Sequence, residues 1–375
     1  MGLGQGAVEG LALTVDGAFW RGKRVVVTGH SGFKGSWLTL WLNRLGAEVT
    51  GIALPPLAEP NLFAEADIGA LCHSHFCDVR DGAALGEAIG AVRPHIVFHL
   101  AAQPLVRASY ERPRVTLETN VMGTVHVLEA MRGLHDLRVA VMVTTDKVYR
   151  DLETSDPHAE DDALGGRDPY SASKAASEIV IESYRTSCLA TQGVAVASAR
   201  AGNVVGGGDW SQDRLIPDAV RAWRRGETLA VRRPQAVRPW QHVLEPLAGY
   251  LILAQRLWSE PALAGAYNFG PGHEGAVSVR DLVELARAAY GDGEVRYGDG
   301  ADGPHETAWL ALDAGKAGRV LGVAPVWTLV QAVQRTMAWY RAHDRGAVAR
   351  ALCEQDIADF EGRAGASAAA EKRRA

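Results

Sequence analysis

The chain has 375 residues, of which 47% are hydrophobic and 22% charged, the balance of an ordinary globular protein long enough for a large core. A formal net charge of -5 argues against a nucleic-acid surface, and no apolar run reaches the ~18 residues needed to span a membrane. Cys72, Cys77, Cys188 and Cys353 are scattered and form no CxxC pair, which fits a reducing cytosol better than a disulfide framework. The opening "MGLGQGAVEGLALTVDG" lacks the basic and apolar regions of a secretory signal. Residues 1–17 are therefore expected to be a flexible extension of a cytoplasmic protein.

From about Arg24 to Val205, short aliphatic runs alternate with stretches of helical spacing. The runs are "RVVVTG", "EVTGIAL", "HIVFHLAA", "VAVMVTT" and "VAVASARAGNVV"; between them lie "SWLTLWLNRLG", "GAALGEAIGAV", "NVMGTVHVLEAMRGL" and "SASKAASEIVIESYRTS". This rhythm predicts βαβ units and an α/β fold, a doubly wound parallel sheet of Rossmann type over residues 18–205. After Gly206 the rhythm breaks around "GGGDW" and several prolines, so 206–345 are expected to form mainly a smaller mixed α/β substrate lobe. The Ala- and charge-rich end predicts a partly disordered tail over 346–375.

The first strand-to-helix turn, "VVVTGHSGFKGSWL", carries Gly29, Gly32 and Gly35. Glycines at this spacing permit a tight turn, backbone approach to a pyrophosphate and close helix–strand packing, and the helix N-terminus favours the phosphates. The acid that usually reads the ribose at the end of the second strand is missing, since Ala53 or Leu54 stands there. No arginine replaces it, which leaves NAD against NADP open, with Lys34 as the residue to suspect if NADP is used. Asp78 ends the third strand, where a carboxylate can accept from the adenine amino group; Asp81 reads as a helix cap. "CHSHFC", Cys72–Cys77, lacks zinc-site spacing, and no metal is expected.

The buried run Ala140–Val143 ends in Thr144, Thr145, Asp146 and Lys147. A carboxylate beside an ammonium group at the carboxyl end of a parallel strand is where open α/β sheets bind ligands. "DPYSASK" adds Tyr170 and Lys174, four apart and so on one helix face, where the ammonium is expected to favour the phenolate.

These stretches, with "FHLAAQPLVRASY", "DRLIPD", "RPWQHVLEPL" and "NFGP", resemble the extended short-chain dehydrogenase/reductase family over roughly Phe19–Tyr340. Within it, "GHSGFKGSW", "GNVVGGGDW" and "RPWQHVLEPL" resemble the CDP-glucose 4,6-dehydratase branch. Related sugar-nucleotide dehydratases carry Thr-Asp-Glu at the strand end, and this branch carries lysine third. The resemblance implies bound NAD, a CDP-D-glucose substrate and a CDP-4-keto-6-deoxy-D-glucose product. Tyr170 takes the C4 hydroxyl proton as hydride passes to NAD+, neutral Lys147 removes the C5 proton, and protonated Asp146 donates to the departing C6 hydroxyl. Hydride then returns to C6.

It further implies that Thr145 bonds the C4 oxygen and that Lys174 assists Tyr170. Cofactor contacts are expected from Gly29, Ser31, Gly32, Phe33, Lys34, Gly35, Asp78, Val79, Leu100, Ala101, Ala102, Tyr170 and Lys174. Asn120 is expected either to fix backbone near the nicotinamide or to cap its helix. Gln103, Asn203, Arg214, Leu215, Arg238 and His305, the last in "GPHE" with Glu306, are expected to hold substrate; a guanidinium at Arg238 suits a diphosphate. A homo-oligomer through helices flanking the sheet is implied as well. Two other readings stay open: a 4-epimerase or ketoreductase of the same fold, which needs no acid–base pair after Thr145, and a catalytically silent dinucleotide-binding regulator, disfavoured by the intact Tyr170 and Lys174.

Overall fold

The β-branched run Val25–Val27 is buried on both faces, the signature of a strand inside a parallel sheet. In the computed structural model, which describes residues 14–56, 59–150, 156–271, 275–300 and 308–372, it lies in β1 (Arg24–Thr28). Six further strands join it: β2 (Glu48–Ala53), β3 (His73–Phe76), β4 (Ile96–His99), β5 (Val139–Val143), β6 (Ala195–Ala201) and β10 (Ala266–Phe269). The order is β10-β6-β5-β4-β1-β2-β3, parallel throughout. The chain winds outward one way through β2 and β3, then the other way from β4, so a crevice opens at the carboxyl ends of β1 and β4.

Alternation along each strand feeds two cores. Val25, Val27, Phe98 and Val141 pack under the helices Phe33–Arg44 and Leu244–Ser259. Val26, Val97, Ala140 and Met142 face the opposite side with Leu85, Ile89, Val127, Leu128 and Ile181 from the helices Gly82–Val92, Gly123–Ala130 and Pro169–Tyr184. The smaller lobe holds a three-stranded sheet of β7 (Asn203–Val205), β9 (Val237–His242) and β11 (Ala276–Ser278), and a pair of β8 (Leu229–Val231) and β12 (Val295–Tyr297).

Two expectations about organisation change. The chain after residue 205 does not keep to the lobe, because the helix Leu244–Ser259 covers the main sheet and β10 becomes its seventh strand. The terminal segment is a helix, Ala349–Lys372, rather than a partly disordered tail. Its composition hides a stripe: Cys353, Ile357 and Phe360, four and three residues apart, are all buried. The Phe360 ring meets Trp41 at 5.7 Å and Trp327 at 5.1 Å, both edge to face, and Trp41 Nε1 donates to Glu361 at 2.8 Å. At the other end order begins before Gly17, since Asp16 caps the helix Gly17–Trp20 and Trp20 is fully buried. Among the described residues no helix is long and apolar enough to cross a membrane.

Candidate active site

At the crevice, Gly29 leaves β1 with φ +79°, and a Cβ there would stand 2.7 Å from Ala101 N. A Cβ on Gly35 would stand 2.0 Å from Gly29 O, so only glycine lets the helix Phe33–Arg44 sit this close to the strand end. Gly32 is that helix's N-cap and offers no side chain to its first amides, in contrast to the Asp81, Asp168 and Ser278 caps elsewhere. An uncapped helix start behind a glycine turn fits a dinucleotide pyrophosphate. Ser31 Oγ donates to Leu54 O at 2.8 Å, Phe33 packs into the core, and Val79 lies against Gly123. Leu100 N and Ala101 N donate to Thr28 Oγ1 at 3.2 and 3.3 Å, which fixes the β4 end that continues into Ala102. Asp78 is engaged by Arg80 at 2.6 Å, whose hydrogen bonds hold its carboxyl below the usual range; Asp81 caps its helix as expected.

Asn120 lies within a helical run, Glu118–Met122, and so is not a cap. Its amide accepts from Gln103 N at 2.7 Å and donates to Gln103 O at 3.1 Å and Ser173 Oγ at 2.9 Å, tying the loop after β4 to the helix of Tyr170. The Gln103 side chain is committed to its own loop, bonding Leu105 N, Leu105 O and Thr116 Oγ1, rather than turned toward a substrate.

The polar ending of β5 forms a short 3-10 turn, Asp146–Val148, capped by Thr145. Thr145 Oγ1 donates to Asp146 Oδ1 at 3.0 Å, and Thr145 holds the Tyr170 phenol down against burial. Asp146 is only 2% exposed, and its Oδ2 has no hydrogen-bond partner among the described residues. Burial drives its carboxyl upward against the opposing pull of Lys147, Arg238 and Lys34. Burial outweighs those nearby cations and shifts the carboxyl in the direction that donation to a leaving group requires.

The expected effect of Lys174 on Tyr170 is corrected. Burial pushes the phenol up to about 12, and Thr145 and Arg214 only partly offset it. Lys174 instead donates to Val143 O at 3.2 Å; burial brings its ammonium down to about 8. Lys34 also changes place. Its ammonium lies in the electrostatic reach of Arg214, Asp146 and Lys174, on the reaction-site side of the crevice, and falls to about 8, mainly through burial. Arg214 anchors on Asp209 at 3.2 Å immediately before Leu215, which opens the helix Leu215–Arg224. Arg238, on β9, is buried and within reach of Asp146; Asn203 pairs with Trp240 across β7 and β9. His305 lies outside the described residues.

Glu178 was not anticipated. One turn beyond Lys174, it is buried and accepts from Ser198 Oγ at 2.7 Å and Arg200 Nη2 at 2.8 Å, and Thr144 Oγ1 donates to its other oxygen. It ties the catalytic helix to β5 and β6, and its charge holds the Lys174 ammonium up against burial. Its i,i+4 spacing from Lys174 was the available signal. Among the described residues no cluster of metal-ligating side chains occurs; His73 and His75 lie on the exposed edge strand β3.

Residues 25–270 match the NAD dependent epimerase/dehydratase family. The chain is 45% identical over 352 residues to CDP-glucose 4,6-dehydratase of Salmonella typhimurium, covering 92% of this chain and 98% of that one. It is 28% identical to dTDP-glucose 4,6-dehydratase of Xanthomonas campestris pv. campestris, covering 84% and 92%. In fold it is similar to UDP-glucose-4-epimerase from Stenotrophomonas maltophila with bound NAD, with a TM-score of 0.75, 23% identity, and 87% and 100% of the chains covered. The glycine turn at the sheet's switch point, the Tyr170–Lys174 helix and these matches agree: the chain belongs to the NAD dependent epimerase/dehydratase family.

Proposed function

We propose that the protein converts CDP-D-glucose to CDP-4-keto-6-deoxy-D-glucose. The observation that carries this is the Thr145–Asp146–Lys147 turn at the end of β5, which holds a buried carboxyl whose burial raises it above the usual range. The 45% identity to a CDP-glucose 4,6-dehydratase supports both the reaction and the nucleotide. Bound NAD+ supplies a reversible hydride acceptor, held by the glycine turn and the start of the helix Phe33–Arg44. Tyr170 receives the C4 hydroxyl proton. The resulting ketone acidifies C5–H, which neutral Lys147 removes, while Asp146 protonates the C6 hydroxyl as it departs. Lys147 then returns the proton to C5.

Lys34, Arg214 and Arg238 give the cleft the positive charge that a nucleoside diphosphate needs. A 4-epimerase has no use for a buried acid one residue from a lysine, which favours the dehydratase. Incubating the enzyme with CDP-D-glucose in deuterated water tests this: the product should be lighter by one water and carry deuterium at C5. Recovery of only the C4 epimer, or of unchanged substrate, would sink the reading.

A homo-oligomer belongs to the same proposal. Leu117, Met122 and Ile179 are exposed apolar side chains on the contiguous helical segments Pro113–Leu117, Glu118–Met122 and Pro169–Tyr184, a face suited to a second copy. The free thiols Cys72, Cys77, Cys188 and Cys353 suit a reducing, cytoplasmic setting.

A further inference from the structure

The Asp146 carboxyl accepts a hydrogen bond at one oxygen only. Thr145 Oγ1 donates to Oδ1 at 3.0 Å, while the buried Oδ2 has no hydrogen-bond partner among the described residues. One hydrogen bond does not fix a carboxyl group, because the torsion about Cβ–Cγ is broad. What Oδ2 rests against therefore decides where the acid points.

It rests against Gly202, the buried residue at which β6 hands over to β7. A Cβ on Gly202 would stand 3.1 Å from Asp146 Oδ2, 3.0 Å from Pro239 O and 2.6 Å from Pro239 Cγ, all inside ordinary van der Waals contact. The φ of Gly202 is not left-handed, so glycine is needed here for space rather than for backbone conformation. Neither neighbour can step back. Thr144 N donates to Ala199 O at 3.0 Å, which locks the end of β5 to β6. β7 pairs with β9 at Asn203 and Trp240, and Pro239 pairs with Ala276 of β11 on the other side of β9. The far wall of this seat is thus a proline, which has no amide hydrogen to donate and presents a carbonyl acceptor. Such surroundings suit a carboxylic acid better than a carboxylate.

We propose that Gly202 is a positioning residue for the acid of the dehydration, an inference that rests on the function proposed above. The absent side chain lets Asp146 sit with Oδ2 against the junction of β6 and β7, aimed by packing rather than by a hydrogen bond, where it protonates the departing C6 hydroxyl. A methyl group at Gly202 pushes the carboxyl off this line. Oxidation at C4 does not use that oxygen, because the C4 hydroxyl proton goes to Tyr170 and the hydride to NAD+. Gly202 therefore bears on the second half of the reaction and not on the first.

The test uses Gly202→Ala and, because contact with the proline ring by itself threatens folding, also Gly202→Ala/Pro239→Ala, which relieves the ring contact and keeps the one with Oδ2. CDP-6-deoxy-D-glucose reads the first half alone, since it has the C4 hydroxyl but no leaving group at C6. The folded variant, loaded with NAD+, should reduce it with this analogue at a rate close to that of the wild type. With CDP-D-glucose the variant should accumulate the absorbance of reduced nicotinamide and release product roughly 10²-fold more slowly, as expected when a reacting group is misplaced by about 1 Å. Introduced into Asp146→Asn, the same substitution should slow product release by less than about twofold further, because the acid it misplaces is already gone. An equal loss in both halves, wild-type dehydration by the variant, the full loss again in Asp146→Asn, or failure of both variants to fold would overturn the positioning role and leave Gly202 to the packing of β7 on β9. Failure of the wild type to dehydrate CDP-D-glucose would instead overturn the underlying function, and is read from product in a separate assay.

Discussion

At the scale of single residues, the site divides its labour by burial and by neighbouring charge. Lys147 is assigned to C5 and is not needed for oxidation at C4. Lys147→Ala should still reduce bound NAD+ with CDP-D-glucose, yet lose at least about 10²-fold in turnover and in C5 exchange, as expected for a positioned base. Tyr170→Phe should stop the reaction before any reduced nicotinamide absorbs. If Lys147→Ala exchanged C5 hydrogen like the wild type, the strand-end pair would be structural. Glu178 governs Lys174 from one turn away. Burial already lowers that ammonium to about 8, and removing the carboxylate removes the charge that opposes the fall. Glu178→Gln should therefore move the alkaline limb of the kcat/KM profile to lower pH. It also strands Arg200, so thermal stability should fall by about 3–5 kcal/mol. An unmoved pH limb would leave Glu178 a purely structural residue.

At the scale of elements, the helix Leu244–Ser259 carries a titratable joint. Glu245, in its first turn, accepts from Val326 N and from Trp327 N, the latter at 2.8 Å, and so fastens the loop that precedes the helix Leu329–Asp344 to the sheet side. Burial raises its carboxyl to about 7 even though these two amides pull it down. The native state thus binds a proton that the unfolded chain releases near its ordinary value of 4.5, and stability falls as pH rises from about 4.5 through about 7. Glu245→Gln should flatten this part of the dependence of Tm on pH; a wild-type slope in the variant would refute it. The turn between β1 and the helix Phe33–Arg44 makes the opposite kind of demand, on space alone. Gly35→Ala must push the helix off Gly29 O, which should cost roughly 1–3 kcal/mol and weaken NAD binding in a fluorescence titration.

At the scale of the whole molecule, both the proposed assembly and the terminus are testable. Ile179→Asp on the exposed helical face should shift the sedimenting species toward monomer while Tm of the separated protomer changes little, because Ile179 is 62% exposed. The terminal helix is part of the core. Phe360→Ala opens a hole between Trp41 and Trp327, and calorimetry should register a loss of about 3–5 kcal/mol. A loss below 1 kcal/mol would mean the helix merely rests on the surface.

The sequence determined those features that depend on residues near one another in the chain. Short continuous apolar runs and period-3.6 stretches set the parallel sheet and its helices, because the inner strands had to be apolar on both faces. The glycine spacing set the turn at β1, and Tyr170 and Lys174 shared a helix face whatever the rest of the chain did. What the tertiary structure decided was how distant segments meet. Lys34 reads locally as part of a phosphate turn, yet the fold brings its ammonium within electrostatic reach of Asp146 and Lys174. The Tyr170 phenol rises rather than falls because desolvation by packed neighbours exceeds the effect of nearby charge, and burial cannot be read from a four-residue spacing. Gln103 turns back onto its own loop, where its side chain accepts from Leu105 N and donates to Leu105 O and to Thr116 Oγ1, a partner from a helix that only the fold brings near. The helix Ala349–Lys372 looks polar and alanine-rich in isolation, and Cys353, Ile357 and Phe360 become a core stripe only when Trp41 and Trp327 arrive from elsewhere in the chain.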